Sequence, residues 1–100
     1  MTDVNELSEG QLPPAPAGVG AQLRAAREAR GLSVAQISAE TRISERHLGL
    51  LEAGDFAALP GRTYAVGFAR NFAQVVGLDQ ADIAAQVRIE LGAELAERGQ

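Results

Sequence analysis

The side chains able to do chemistry in this chain are few, and their spacing points to recognition more than to catalysis. His47 is the single imidazole, and there is no cysteine. Disulfides and thiolate ligands are thereby excluded, and a dedicated transition-metal site, which needs three or four closely spaced ligands, is not expected around one histidine. Gly18-x-Gly20 precedes a helical pattern but lacks the preceding strand and the third glycine of a phosphate-binding fingerprint. No nucleophile elbow is present, and His47 has no credible acid and nucleophile beside it in sequence. The chain is read as a non-enzyme with no catalytic residue, cofactor or metal. Two recognition sets remain. Ser44, Glu45, Arg46 and His47 open a predicted helix, and all four aromatic residues, Phe56, Tyr64, Phe68 and Phe72, fall in one short stretch just after it. Tyr64, Phe68 and Phe72 recur at helical i, i+4, i+8 spacing, a stripe that either fills a core or receives a partner.

The elements that must position these residues are helical throughout. The chain has 100 residues, 46% of them apolar, enough for one domain with a compact core. Residues 1–18 hold most of the prolines and three acidic residues without apolar periodicity, the composition of a disordered tail. From Val19 onward no period-2 alternation occurs and apolar residues recur at helical spacing. A first helix is predicted over about Val19–Arg30, with Val19, Leu23 and Ala26 inward and Gly31 ending it. Ser33 with Gln36 three residues later has capping-box spacing and opens a second helix to about Thr41. Ser44 caps a third helix to about Ala53, with Leu48 and Leu51 inward and Gly54 as its stop. Two short capped helices joined across Arg42-Ile43 describe a helix-turn-helix. A connector anchored by Phe56 and Leu59 leads to a fourth helix, Arg62 to Val76. A fifth runs from Asp79 as cap to about Leu91, and residues 92–100 are read as a linker.

The fourth helix carries more apolar surface than a core requires. At about 100° per residue its apolar arc is about 200° wide, twice what a surface helix buries. Phe72, Ala65, Val76 and Ala69 lie in the middle of that arc and are expected inside. Tyr64 and Phe68 lie at its edge, beside Asn71, Gln74 and Arg70. The fifth helix could cover the side of Val66, Ala73 and Val76 and leave the Tyr64 edge open, as a protein interface would require.

Charge bears on the choice of partner. Residues 19–91 carry eight arginines against eight acidic residues, and the whole chain is at −4. A dedicated DNA binder usually shows a basic excess, since phosphate neutralisation supplies much of its affinity. Arg46 could address a guanine edge from the start of the third helix, yet Glu45 beside it repels phosphate. No apolar run is long enough to span a membrane, and no secretory leader pattern is present, so the segment is expected to be cytoplasmic.

The run Gly20-x-x-Leu23-x-x-Ala26-Arg27-x-x-x-Gly31-Leu32-Ser33, with Ile37, Ile43-Ser44 and Leu51-Glu52-x-Gly54, resembles the phage-repressor-like (XRE) helix-turn-helix family. Members of that family often carry glycine in the turn where this chain has Arg42, which predicts a different turn. Leu51-Glu52-x-Gly54-Asp55-Phe56-x-x-Leu59-Pro60-Gly61, then Tyr64-x-x-Gly67-Phe68-x-Arg70-x-Phe72-Ala73 and Gly77-Leu78-Asp79, is similar to the cytoplasmic domain of the RodZ family of bacterial cell-shape proteins. A basic residue in the turn is common there. That resemblance implies an all-α, five-helix domain that binds the actin-like filament protein MreB. It implies a cytoplasmic adaptor on the inner membrane, held there by a segment beyond these residues. It also implies that the contact is made by fourth-helix aromatics matching Tyr64 and Phe68, with Arg62 and Arg70 as candidates to pair with acids on the filament. The alternative is an XRE-type transcriptional regulator reading DNA through Ser44, Glu45, Arg46 and His47.

Overall fold

A computed structural model describes residues 18–98 and, along the last helix, side chains as far as Gly92. Of the segment 1–18 read as a tail, residues 1–17 lie outside the described residues. Among the described residues the fold is all-α with five helices: α1 Val19–Ala29, α2 Val34–Thr41, α3 Glu45–Ala53, α4 Arg62–Val76 and α5 Gln80–Arg98. A 3-10 turn, Phe56–Ala58, links α3 to α4. The helix ends follow the caps legible in the chain. Ser33 and Gln36 form a reciprocal capping box, Ser44 Oγ accepts the His47 N–H at 3.1 Å, and Asp79 accepts the Asp82 N–H at 2.9 Å. Gly31, Gly54 and Gly77 take the left-handed conformation that ends α1, α3 and α4. The last helix is longer than its apolar pattern suggests, continuing through Arg98 instead of stopping near Leu91.

The core is one cluster. Leu23, Ile37, Leu48, Leu51, Phe72, Ile83 and Val87 are its largest fully enclosed members, and Phe56 and Leu59 anchor the connector against it. α1 crosses α3 so closely that a Cβ at Gly20 would collide with the Leu51 and Glu52 carbonyls. An ion pair locks the same crossing. Arg27 Nε and Nη2 reach the two Glu52 oxygens at 2.6 and 3.1 Å, and Arg27 Nη1 donates to the Leu32 carbonyl at 2.9 Å. The Glu52 hydrogen bond outweighs desolvation and raises the Arg27 pKa above the ordinary guanidinium value. The stabilisation linked to that shift is therefore complete at neutral pH and is lost only as pH rises through the raised value.

The turn between α2 and α3 differs from expectation. Arg42 adopts the left-handed conformation itself, with φ 65° and ψ 20°, the region that glycine enters at no steric cost. Neighbouring bonds hold the residue there. Its N–H donates to the Ser38 carbonyl at 2.7 Å. The Thr41 hydroxyl donates to the Ile37 carbonyl at 2.8 Å and accepts the Ile43 N–H at 3.1 Å. A non-glycine residue in this region costs about 1 to 2 kcal/mol, which Ile43 helps to offset by burying its side chain immediately after the turn.

α5 closes the domain. It packs on α4 with Ile83, Ala84, Val87 and Leu91 buried, and on α4 Ala73 and Val76 are enclosed while Val66 is half-buried. It also reaches α1, where the Val19 N–H donates to Glu90 Oε2 at 2.8 Å and the Gln22 and Gln86 amides meet at 2.6 Å. Glu90 thus serves as an N-terminal cap for α1 from the opposite end of the domain, a role that Gly18 at the cap position cannot fill.

Candidate docking surface on α3 and α4

Two pairs of rings form a continuous ladder across α3 and α4. The Tyr64 and Phe68 rings lie 5.4 Å apart and tilted, one turn from each other on α4. Phe68 in turn stacks on the His47 imidazole of α3 at 5.6 Å, the planes 26° apart. The ladder runs from half-buried to open. Phe68 and His47 are half-buried, and Phe68 packs on the core cluster, whereas Tyr64 is 54% exposed. Phe72 and Ala65, in the middle of the apolar arc, are fully enclosed.

This geometry divides the aromatic pair that the helical spacing placed together at the edge. Tyr64 is open as expected. Phe68 is the wall against which His47 and Tyr64 both rest, so it contributes to packing as well as to surface. The spacing could not show this, because the residue that shields Phe68 comes from another helix. His47, grouped by sequence with the DNA-reading set, is in space a member of the aromatic surface.

The remaining candidates spread around this ladder. Ser44, Glu45 and Arg46 are exposed at the start of α3, the Ser44 hydroxyl being engaged as the helix cap. Arg70 is exposed on α4 and, two residues beyond Phe68, projects from a different side of the helix. Arg62 is exposed at the start of α4. It lines a cleft of about 420 Å³ between α4 and α5 with Thr63, Val66, Arg88 and Leu91. The structure therefore brings Tyr64, Phe68 and His47 together and places the two α4 arginines elsewhere on the surface. Among the described residues, no group of three or more His, Cys, Asp or Glu side chains is placed to hold a metal ion. No helix there is long and apolar enough to cross a membrane.

Two short capped helices joined by a tight turn, held to α1 by a half-buried Arg27–Glu52 pair and backed by α4 and α5, define a helix-turn-helix domain. Residues 22–83 match the family described as the helix-turn-helix domain, and the chain belongs to that family. It is 38% identical over 48 residues to YmfM of Bacillus subtilis (strain 168), an uncharacterised membrane protein. That match covers 48% of this chain and 17% of the length of the Bacillus protein. The fold is similar to the structure of YmfM from Staphylococcus aureus, described as a candidate DNA-binding membrane protein. There the TM-score is 0.70 and the identity 28%, covering 74% of this chain and 90% of that one.

Proposed function

We propose that this domain is an adaptor that docks onto an actin-like cytoskeletal filament of the MreB type. In this reading it is the cytoplasmic part of a RodZ-like cell-shape protein, joined to the inner membrane by a segment outside these residues. The exposure of Tyr64 carries the proposal. A ring of that size, held against a half-buried Phe68 that is itself stacked on His47, is a rigid aromatic anchor of the kind that dominates protein interfaces. Both YmfM relatives are described as membrane proteins, which fits a tethered adaptor. Arg70 is the better placed of the two arginines to meet an acid on the filament, since Arg62 faces the α5 cleft.

Co-sedimentation with polymerised MreB tests this. Tyr64→Ala should weaken binding by about 2 kcal/mol, roughly thirty-fold, while leaving the melting temperature nearly unchanged. Undiminished co-sedimentation of Tyr64→Ala would remove the proposal.

A second reading is kept because the Staphylococcus aureus relative is described as a candidate DNA binder. Arg46 is exposed at the start of α3, where helix-turn-helix proteins read the major groove. It predicts sequence-selective binding that falls steeply with salt and is lost in Arg46→Ala. A mobility shift showing no preference among sequences would dispose of it.

A further inference from the structure

We infer that this domain recognises a second copy of itself head to tail, with Ile89 and Arg88 of one molecule entering the groove between α2 and α4 of the next. The contact uses neither Tyr64 nor Phe68. Ile89 supplies the knob. It is 70% exposed, and among the described residues it and Tyr64 are the large apolar side chains left at the surface. Val87 and Leu91, two positions to either side, are buried, so Ile89 lies on the outward face of α5. A β-branched side chain loses rotamer freedom in a helix, and here no packing within the domain offsets that loss. Ala85 and Gly92, one turn away in each direction, are small and exposed, so the Ile89 side chain stands clear of its neighbours. Arg88 is exposed beside it and forms no ion pair among the described residues.

The groove supplies the hole. Two adjoining clefts of about 480 and 440 Å³ lie between α2 and α4 and share Glu40 and Val75 in their walls. Leu32, Ile37 and Val75 give the first cleft an apolar floor, and Glu40 is the one charged residue lining either cleft among those described. Glu40 is exposed and has no ion-pair partner among the described residues. Ile89 faces away from α4 while the groove lies where α4 meets α2, so the two cannot join within one molecule. Between molecules they match, the apolar knob to the apolar floor and the Arg88 guanidinium to the Glu40 carboxylate. A polyanion fits the groove poorly, because its only charge is negative. Knob and hole are different patches, so the contact is heterologous and builds an open chain or a ring, not a twofold dimer. One aliphatic anchor and one solvent-accessible ion pair make a small interface, and the self-association is accordingly weak.

Sedimentation equilibrium of the whole chain tests the inference. The mean mass should rise above the monomer value as concentration increases. Ile89→Asp and Glu40→Arg should each weaken self-association by about ten-fold or more. Both positions are exposed, so the melting temperature should hardly move. Glu40→Arg combined with Arg88→Glu in one chain restores the opposite charges and should recover most of the loss that either causes alone. An equimolar mixture of Ile89→Asp and Glu40→Arg chains should stop at a dimer. The groove of the first still accepts the knob of the second, and no further copy can add. A monomer mass at every concentration up to about 1 mM would overturn the inference. So would self-association that Ile89→Asp abolishes and Glu40→Arg leaves intact, the result of a twofold contact between α5 helices. A mixture of the two folded variants that stays monomeric would overturn it as well.

Discussion

The turn joining α2 to α3 and the outer edge of α4 use their side chains in opposite ways. Around the turn, the capping and bridging groups are engaged within the domain, while Arg42, Glu45 and Arg46 remain exposed. Ser33 and Gln36 bond each other's backbones, Thr41 bridges Ile37 and Ile43, Ser44 caps α3, and Arg27 and Glu52 neutralise one another. Along the edge of α4, Tyr64, Gly67, Arg70 and Asn71 are exposed, and among the described residues neither Tyr64 nor Arg70 makes a side-chain hydrogen bond or ion pair. The helix-turn-helix thus uses its caps, the Thr41 hydroxyl and the Arg27–Glu52 pair to hold itself together. On α4 the exposed set includes the large aromatic ring of Tyr64. His47 joins the two regions, with its backbone in the α3 cap and its ring in the aromatic ladder.

The contrast can be broken most forcefully at the Arg27–Glu52 pair. Glu52→Ala leaves a mostly enclosed guanidinium with the Leu32 carbonyl and a looser contact to Glu28 at 3.9 Å, and should cost about 2 to 3 kcal/mol in chemical denaturation. A loss below about 0.5 kcal/mol would mean that the pair is ornamental and that the turn region is not held as described. Phe68 sharpens the line between the regions, because it faces both ways. Phe68→Ala should cost about 2 kcal/mol, roughly half the loss for a fully buried phenylalanine, whereas Tyr64→Ala should stay within about 0.5 kcal/mol of the parent. Equal thermal shifts for the two would place both rings on the same side of that line. The smallest effect is expected at the turn itself. Arg42→Gly relieves the left-handed strain but adds freedom to the unfolded chain, so a net gain of about 0.5 kcal/mol is expected. A net loss would show that the Arg42 side chain stabilises the turn in a way its backbone conformation does not reveal.

Much of the architecture was legible along the chain, because it rests on local physics. Ser33, Ser44 and Asp79 cap helices by bonding a backbone group three residues away, and Gly54 and Gly77 end them by a conformation that needs no Cβ. The buried set of α4 followed from its periodicity, since Ala65, Ala69, Phe72, Ala73 and Val76 share one arc. Two local expectations failed for physical reasons. Arg42 was expected to change the turn. The bonds around it and the burial of Ile43 instead force arginine into the glycine-like conformation. The fifth helix was expected to stop near Leu91, where its apolar face ends. Helical backbone bonding needs no core beneath it, and α5 continues through Arg98.

The sequence by itself determined five helices, their caps, and a fourth helix with more apolar surface than one core can cover. Each of these depends on residues within a few positions of one another. Only the tertiary structure decided which ring was spare, because Phe68 is shielded by His47 from α3 and Tyr64 by nothing comparable. It also sent Arg62 to a cleft with Arg88 and made Glu90 the cap of α1 from the far end of the domain. Such pairings join positions far apart in sequence, and no spacing rule encodes them. They follow from how the helices cross, and the crossings are set by the core as a whole.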